Sequence, residues 1–217
     1  MPNALSIASY DTLSTVDWPD KLVSVAFLQG CPWNCDFCFN TALIPTDTPG
    51  QVSEDEILHH LSKRKNILDG IVFSGGDPLR QSVALVPFMQ RIKELNPDFS
   101  IGVHTEGAYP QGIVRVLPYV DWFGLDFKAM PDDYDSVTQT NNSFKQAELS
   151  LDLLISSDTD FEVRTTIYKG SPQGNRIYDI AEYLYHRGVY DRWHIQIAHG
   201  DYPEWTNKLP AGVDIRR

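Results

Sequence analysis

Cysteine is the residue with which this sequence can do the most chemistry, and the chain has only three. Cys31, Cys35 and Cys38 all lie within "QGCPWNCDFCFN", residues 29–40. Three thiols cannot all pair as disulfides, and thiols used for packing would scatter over several core elements. These cluster beside Gly30, Pro32 and Asn34, which are loop-forming residues. The spacing C-x3-C-x2-C therefore points to metal. Offsets of four and seven would share one helix face, and a wrapped loop would serve as well. A structural zinc site closes with four ligands. Here the fourth would have to come from elsewhere, and His59 and His60 fall on a predicted amphipathic helix. Three thiolates suit an iron–sulfur cluster better, because one iron is then left free to bind something else. At this level zinc and incidental thiols remain open alternatives.

The elements that must hold such a loop are legible around it. "KLVSVAFLQ" (21–29) reads as a buried strand ending at Gly30. A helix follows over 53–65, with Ser53 and Glu56 spaced as a capping box and Ile57, Leu58 and Leu61 as its apolar face. "DGIVFSGGDP" (69–78) is a strand running into a glycine turn. Residues 79–95 have helical spacing, which Pro87 is expected to bend or interrupt. Strands are expected at 100–107, 122–128, 161–168 and 192–198, and helices at 111–118, 143–156 and 175–188. Six strands alternating with helices predict an α/β fold with a parallel sheet, doubly wound or curled towards a barrel. The chemically unusual residues recur at the C-terminal ends of these strands, where parallel α/β folds build their ligand sites.

Bulk properties narrow the function classes. A chain of 217 residues can bury one substantial core. No apolar run approaches the roughly 18 residues that cross a bilayer. The first twenty residues have neither a basic nor a hydrophobic leader region, so no membrane role and a cytoplasmic location are expected. The net charge is −11, and "KRK" (63–65) is the sole basic cluster. Nucleic acid is therefore not an expected partner.

C-x3-C-x2-C after a first strand, with Phe37 just before the last cysteine, resembles the signature of the radical S-adenosylmethionine (SAM) enzymes. The resemblance implies a [4Fe-4S] cluster on Cys31, Cys35 and Cys38, with the open iron chelating the amino and carboxylate groups of SAM. An electron from the reduced cluster then cleaves SAM to methionine and a 5′-deoxyadenosyl radical, which takes a hydrogen atom from the substrate. "VFSGGDP" resembles the family's Gly-Gly-Glu-Pro turn, so Gly75, Gly76 and Asp77 are carried over as contacts of the SAM amino group, with Asp in place of the usual Glu. "WFGLDFKAM" is similar to the Leu-Asp-Leu-Lys-Met segment of enzymes that activate glycyl-radical enzymes, which implies that Asp126 and Lys128 lie near the methionyl end of SAM. "FEVRTTIY" resembles the segment whose Arg, here Arg164, binds the SAM carboxylate.

"HTEG" (104–107) occupies the place of a Thr-Asn-Gly in those activases. Thr105 is carried over as a SAM contact, and Glu106 departs from the pattern. Phe39 replaces a His that follows the last cysteine in several activases, and together with Phe37 it is carried over as a SAM-binding position through its backbone. "WHIQIAHG" is expected to close the adenine pocket, with no role assigned to His104, His194, Gln196 or His199.

The resemblance implies a partial (β/α)6 TIM-like barrel, one radical SAM domain over 1–217 with its core at about 20–200. It implies an activase that places a glycyl radical on a partner enzyme. The opening "TVDWPDKLVSVAFLQGC" resembles the lead-in of activating proteins for the anaerobic ribonucleoside-triphosphate reductase, which makes that enzyme the expected partner. A flavodoxin or ferredoxin is the expected electron donor. The alternatives are a small-molecule radical SAM enzyme such as 7-carboxy-7-deazaguanine synthase and, from another class, a non-enzymatic zinc-binding module.

Overall fold

The computed structural model describes residues 4–198 and the backbone of a strand at Asp214–Arg216. Its sheet has eight strands: β1 (Ile7–Ser14), β2 (Val23–Leu28), β3 (Gly70–Gly75), β4 (Ser100–Thr105), β5 (Trp122–Asp126), β6 (Asp160–Ile167), β7 (Trp193–Ile197) and β8 (Asp214–Arg216). Their spatial order is their chain order. β1 is antiparallel to β2, and every later strand is parallel to the one before it. The helices are α1 (Glu54–Arg64), α2 (Ser82–Leu95), α3 (Pro110–Val116), α4 (Pro131–Thr138), α5 (Ser143–Ile155), α6 (Pro172–Asn175) and α7 (Ile177–His186). β2 to β7, parallel and joined by helical crossovers, curl into the open, partial barrel expected from the sequence. Among the described residues no helix is long and apolar enough to cross a membrane.

Local chemistry accounts for the elements. β2 is buried along nearly its whole length, as a parallel strand covered on both faces must be. α1 begins with a complete capping box: the Ser53 hydroxyl accepts from the Glu56 N–H, and the Glu56 carboxylate accepts from the Ser53 N–H at 2.8 Å. Pro87 lies inside α2 without breaking it. The hydrogen bond it removes would end on the carbonyl of Val83, a residue 64% exposed, so water can take that bond instead. Four elements were not expected from the sequence: β1, α4, the single-turn α6 and the short strand β8. β1 is a mostly exposed edge strand without a clean apolar alternation. α4 is a short acidic helix that opens on Pro131.

The two faces of the sheet do different work. The helix-covered face is the main core, where Leu28, Phe73, Val103 and Leu125 pack with Ile57, Phe88 and Leu151. The opposite face carries a smaller cluster of Trp18, Val23, Val25, Val72 and Trp122. Trp18 comes from the segment between β1 and β2 and stacks on Trp122, with ring centres 5.1 Å apart. A Cβ on Gly102 would sit 2.8 Å from the Trp18 ring, so the glycine makes room for this plug. The same segment supplies the Asp17 carbonyl, 2.7 Å from Nε2 of His104. The "VDWPD" stretch thus closes the barrel floor.

His104 stands on that inner face, edge-on to Trp122. Burial, reinforced by the nearby Arg164 guanidinium, pushes its imidazole down to about 3. The unfolded chain takes up a proton near pH 6.5, whereas the native state refuses it until about pH 3. Stability from this group is therefore complete above pH 6.5 and is lost as the pH falls towards 3. The metal-free protein should lose urea resistance between pH 7 and pH 5, and His104→Gln, which keeps an N–H donor, should flatten that dependence. Equal slopes in the two proteins would mean that His104 does not titrate as described.

Candidate active site

The cysteine segment is an irregular loop, not a helix, and its backbone is fixed from three sides. Beyond β2 the chain turns at Gly30, whose φ is +99°. The Gly30 and Cys31 N–H groups donate to the carbonyls of Leu43 and Ile44, at the end of a 3-10 turn (Thr41–Leu43) where the loop returns, at 2.7 and 3.1 Å. The buried side chain of Gln29 ties the same return by donating to the Ala42 and Pro45 carbonyls. Further along, the Asn34 and Asp36 N–H groups donate to the carbonyls of Thr138 and Val137. Those carbonyls end α4 and have no partner within their own helix. Trp33 is buried against Tyr134 of α4, and the Asp36 carboxylate accepts the Tyr168 hydroxyl at 2.7 Å.

The glycine turn after β3 presses against this loop. A Cβ on Gly75 would lie 2.2 Å from the Leu28 carbonyl oxygen, and one on Gly76 would lie 2.4 Å from that of Gly30. The Gly76 and Asp77 N–H groups donate to these same two carbonyls, at 3.0 and 2.9 Å. Backbone thus packs on backbone directly under Cys31.

A cavity of about 420 Å³ opens at this edge of the sheet. Cys31, Cys35, Cys38, Phe37, Phe39, Gly75, Gly76, Asp126 and Lys128 all line it, so most of the candidates from distant parts of the sequence meet in one place. Glu106, Thr166 and Gln196 also line it and were not assigned there from the sequence. Thr166 and Gln196 belong to adjacent strands and are paired in register. Alternation along β6 could have found Thr166, and Gln196 falls within the "WHIQIAHG" stretch that was expected to close the pocket. Three candidates stand off the cavity wall. Asp77 is buried and accepts the Leu79 N–H at 3.0 Å and the Thr105 hydroxyl at 3.1 Å, so Asp77 and Thr105 satisfy each other. Arg164, also buried, donates to Asp126 Oδ1 at 2.9 Å from beneath. Gly124 gives its guanidinium room, since a Cβ there would lie 3.0 Å from Arg164 Cζ. His199 lies outside the described residues.

Charge is concentrated on the cavity floor. Lys128 pairs with Glu106, and its Nζ is 3.5 Å from Asp126 Oδ2 and 5.4 Å from the centre of the Phe37 ring. Burial opposes ionisation of Asp126, but Arg164 and Lys128 outweigh it and hold the carboxyl below its usual value. Burial likewise opposes the Lys128 charge, and Glu106 and Asp126 overcome it and raise its pKa. Asp77 is pushed up to about 7 by burial and then by Glu106. The thiols are raised too: Cys35 up to about 12 by burial, and Cys31 further, by burial and then Glu106. Metal must therefore displace protons from the thiols. Among the described residues no three Cys, His, Asp or Glu side chains converge on a single-ion site. Three thiols lining one cavity of about 420 Å³ fit a polynuclear cluster held at three corners.

A family model described as the Radical SAM superfamily matches residues 25–189, more than half of the chain. The chain belongs to the radical SAM superfamily. Membership implies a [4Fe-4S] cluster and SAM, and sets aside the reading as a zinc module without enzymatic activity. Among relatives, a Methanocaldococcus jannaschii protein provisionally named a glycyl-radical enzyme activating enzyme is 28% identical over 176 residues, 78% of this chain and 71% of its own length. The pyruvate formate-lyase-activating enzyme of Clostridium pasteurianum is 30% identical over 141 residues, 61% of this chain and 56% of that protein. The chain thus spans little more than half the length of this second relative. Two solved structures share the fold. The structure of TYW1 with a lysine-pyruvate adduct bound has a TM-score of 0.57 at 15% identity, covering 81% of this chain and 64% of its own. Streptococcus suis SuiB has a TM-score of 0.58 at 14% identity, covering 87% and 41%.

The glycine contact makes a prediction. Gly76→Ala should leave the fold intact by circular dichroism yet force Cys31 and its neighbours to move, so iron retained after anaerobic reconstitution should fall at least several-fold. Cys35→Ala gives the baseline for a lost ligand. Full iron loading of Gly76→Ala would show that the loop tolerates the displacement.

Proposed function

We propose that this chain is a radical SAM activase that places a glycyl radical on a partner enzyme. The observation that carries the reading is the meeting of three cysteines, the double-glycine turn and the Asp126–Lys128 pair around one cavity. The activase names of relatives at 28–30% identity supply the reaction class. Cys31, Cys35 and Cys38 would hold the cluster in this reading, and the rest of the cavity would receive SAM. When bound, the pair supplies one-electron reductive cleavage of a carbon–sulfur bond and a radical that abstracts hydrogen.

The residues of the chain bind, orient and exclude water. Trp33 and Phe37 present apolar surface beside the thiols and keep solvent from the reacting region. Lys128, held charged by its acidic neighbours, lines the cavity and would pair with the carboxylate of SAM. Arg164 acts through Asp126, fixing the oxygen it grips while Oδ2 stays towards the cavity. Gly75, Gly76 and the Phe39 backbone contribute shape and backbone polar groups. Phe39 is 78% exposed at the rim and is a natural contact for an incoming protein loop.

Within the activases, the anaerobic ribonucleoside-triphosphate reductase is the proposed partner, from the resemblance of the N-terminal lead-in, and a flavodoxin or ferredoxin is the proposed reductant. The test is anaerobic reconstitution with iron and sulfide, reduction, and addition of SAM with the reductase or with pyruvate formate-lyase. 5′-Deoxyadenosine should form, and a glycyl radical should appear in the electron paramagnetic resonance spectrum of the reductase sample. Cleavage of SAM with no radical on either protein would move the chain out of the activases. Radical on the lyase alone would reassign the partner.

A further inference from the structure

Two departures from the activase pattern, Asp77 and Glu106, are linked in space. The shorter carboxylate at 77 is buried and turned from the cavity, engaged by the Leu79 N–H and the Thr105 hydroxyl. Glu106, one residue beyond β4, lines the cavity beside Gly75 and Gly76. Thr105 therefore faces Asp77, and its neighbour Glu106 reaches the open space.

The acidic groups facing the cavity are not equivalent. Asp126 is held from below by Arg164 at 2.9 Å, and its other oxygen is 3.5 Å from Lys128. For Glu106 the ion pair formed is with Lys128. Its side chain is 21% exposed, against 5% for Lys128. With Arg164 assigned to Asp126, the cavity wall presents two carboxylates and one ammonium. SAM carries the complementary set: an amino group and a sulfonium, both positive in solution, and one carboxylate. A ligand of this pattern can divide the Glu106–Lys128 pair between its own two ends without leaving either charge unmatched, which a buried pair requires.

We propose that Glu106 takes over from Asp77 as the carboxylate that accepts the α-amino group of SAM, while Lys128 turns to the ligand's carboxylate. The proposal rests on SAM as the cofactor, and is independent of which enzyme is activated. Asp77 keeps a structural task, securing the turn after Gly76 through Leu79 and Thr105.

The test is equilibrium binding to the reconstituted, unreduced protein, comparing SAM with its desamino analogue. Iron content is measured for each variant. The native protein should prefer SAM by at least about tenfold, the scale of a charge-assisted hydrogen bond. Glu106→Gln should lower that preference by about tenfold, to what the iron contact of the amino group alone would supply, Glu106→Asp should lower it less, and Asp77→Asn should keep it. Because Lys128 retains Asp126, Glu106→Gln leaves no unpaired ammonium, and Glu106→Asp preserves the charge should the first variant fold poorly. An undiminished preference in both Glu106 variants, or its loss in Asp77→Asn at unchanged iron content, overturns the assignment. If the native protein loaded with iron binds neither ligand, the SAM reading itself fails; if it binds both equally, only the role of Glu106 does.

Discussion

The site depends on one steric condition: two adjacent peptide units without side chains, at 75 and 76, lie against the backbone between Leu28 and Cys31. Any Cβ at either position would enter a carbonyl oxygen of the neighbouring segment. Because the contact is backbone on backbone, it fixes the height of Cys31 relative to β3 and, through β3, to the whole row of strand ends. The hydrogen bonds from 76 and 77 to the same carbonyls make the approach attractive as well as possible. Position is transmitted from the rigid sheet to a loop that has no regular structure of its own.

Below that contact the interior is layered by polarity. Trp18, Val72 and Trp122 fill the floor. His104, Asp126 and Arg164 form a middle layer in which each polar group has a partner. Above it, Glu106 and Lys128 meet the thiols. Arg164 at mid-height explains why a guanidinium suits that position: its Nε donates to Asp126 Oδ1, while Nη2 lies 2.9 Å from the same oxygen and donates to the Gly124 carbonyl at 3.4 Å. An ammonium could not span those acceptors at once.

Much of this was legible in the sequence, for physical reasons. Parallel strands buried on both faces give apolar runs, so β2 to β7 could be read, and the dense functional spacing of the cysteines stood out from any packing role. What escaped was set by tertiary contact. β1 is an edge strand whose residues need no apolar alternation, and α4 is too short and acidic to show helical periodicity. The purpose of Trp18 and Gly102 is clear only when they are seen to meet. The shared motifs drew attention to Asp77 and Thr105 at strand ends and to Arg164 within β6, but could not tell which side chains point into the cavity. That depends on a register difference of one residue between Thr105 and Glu106.

The anchoring of the cysteine loop on α4 has a consequence for biosynthesis. The three thiols leave the ribosome about a hundred residues ahead of the Val137 and Thr138 carbonyls that receive the Asn34 and Asp36 N–H groups. The strands lie side by side in chain order, so the early sheet can assemble while the loop is still unshaped. A nascent chain in that interval displays three thiols with no fixed geometry, exposed to any thiophilic ion in the cell. The hydrogen bonds that give the cysteine loop its finished shape can therefore form only once the chain has been synthesised past Thr138.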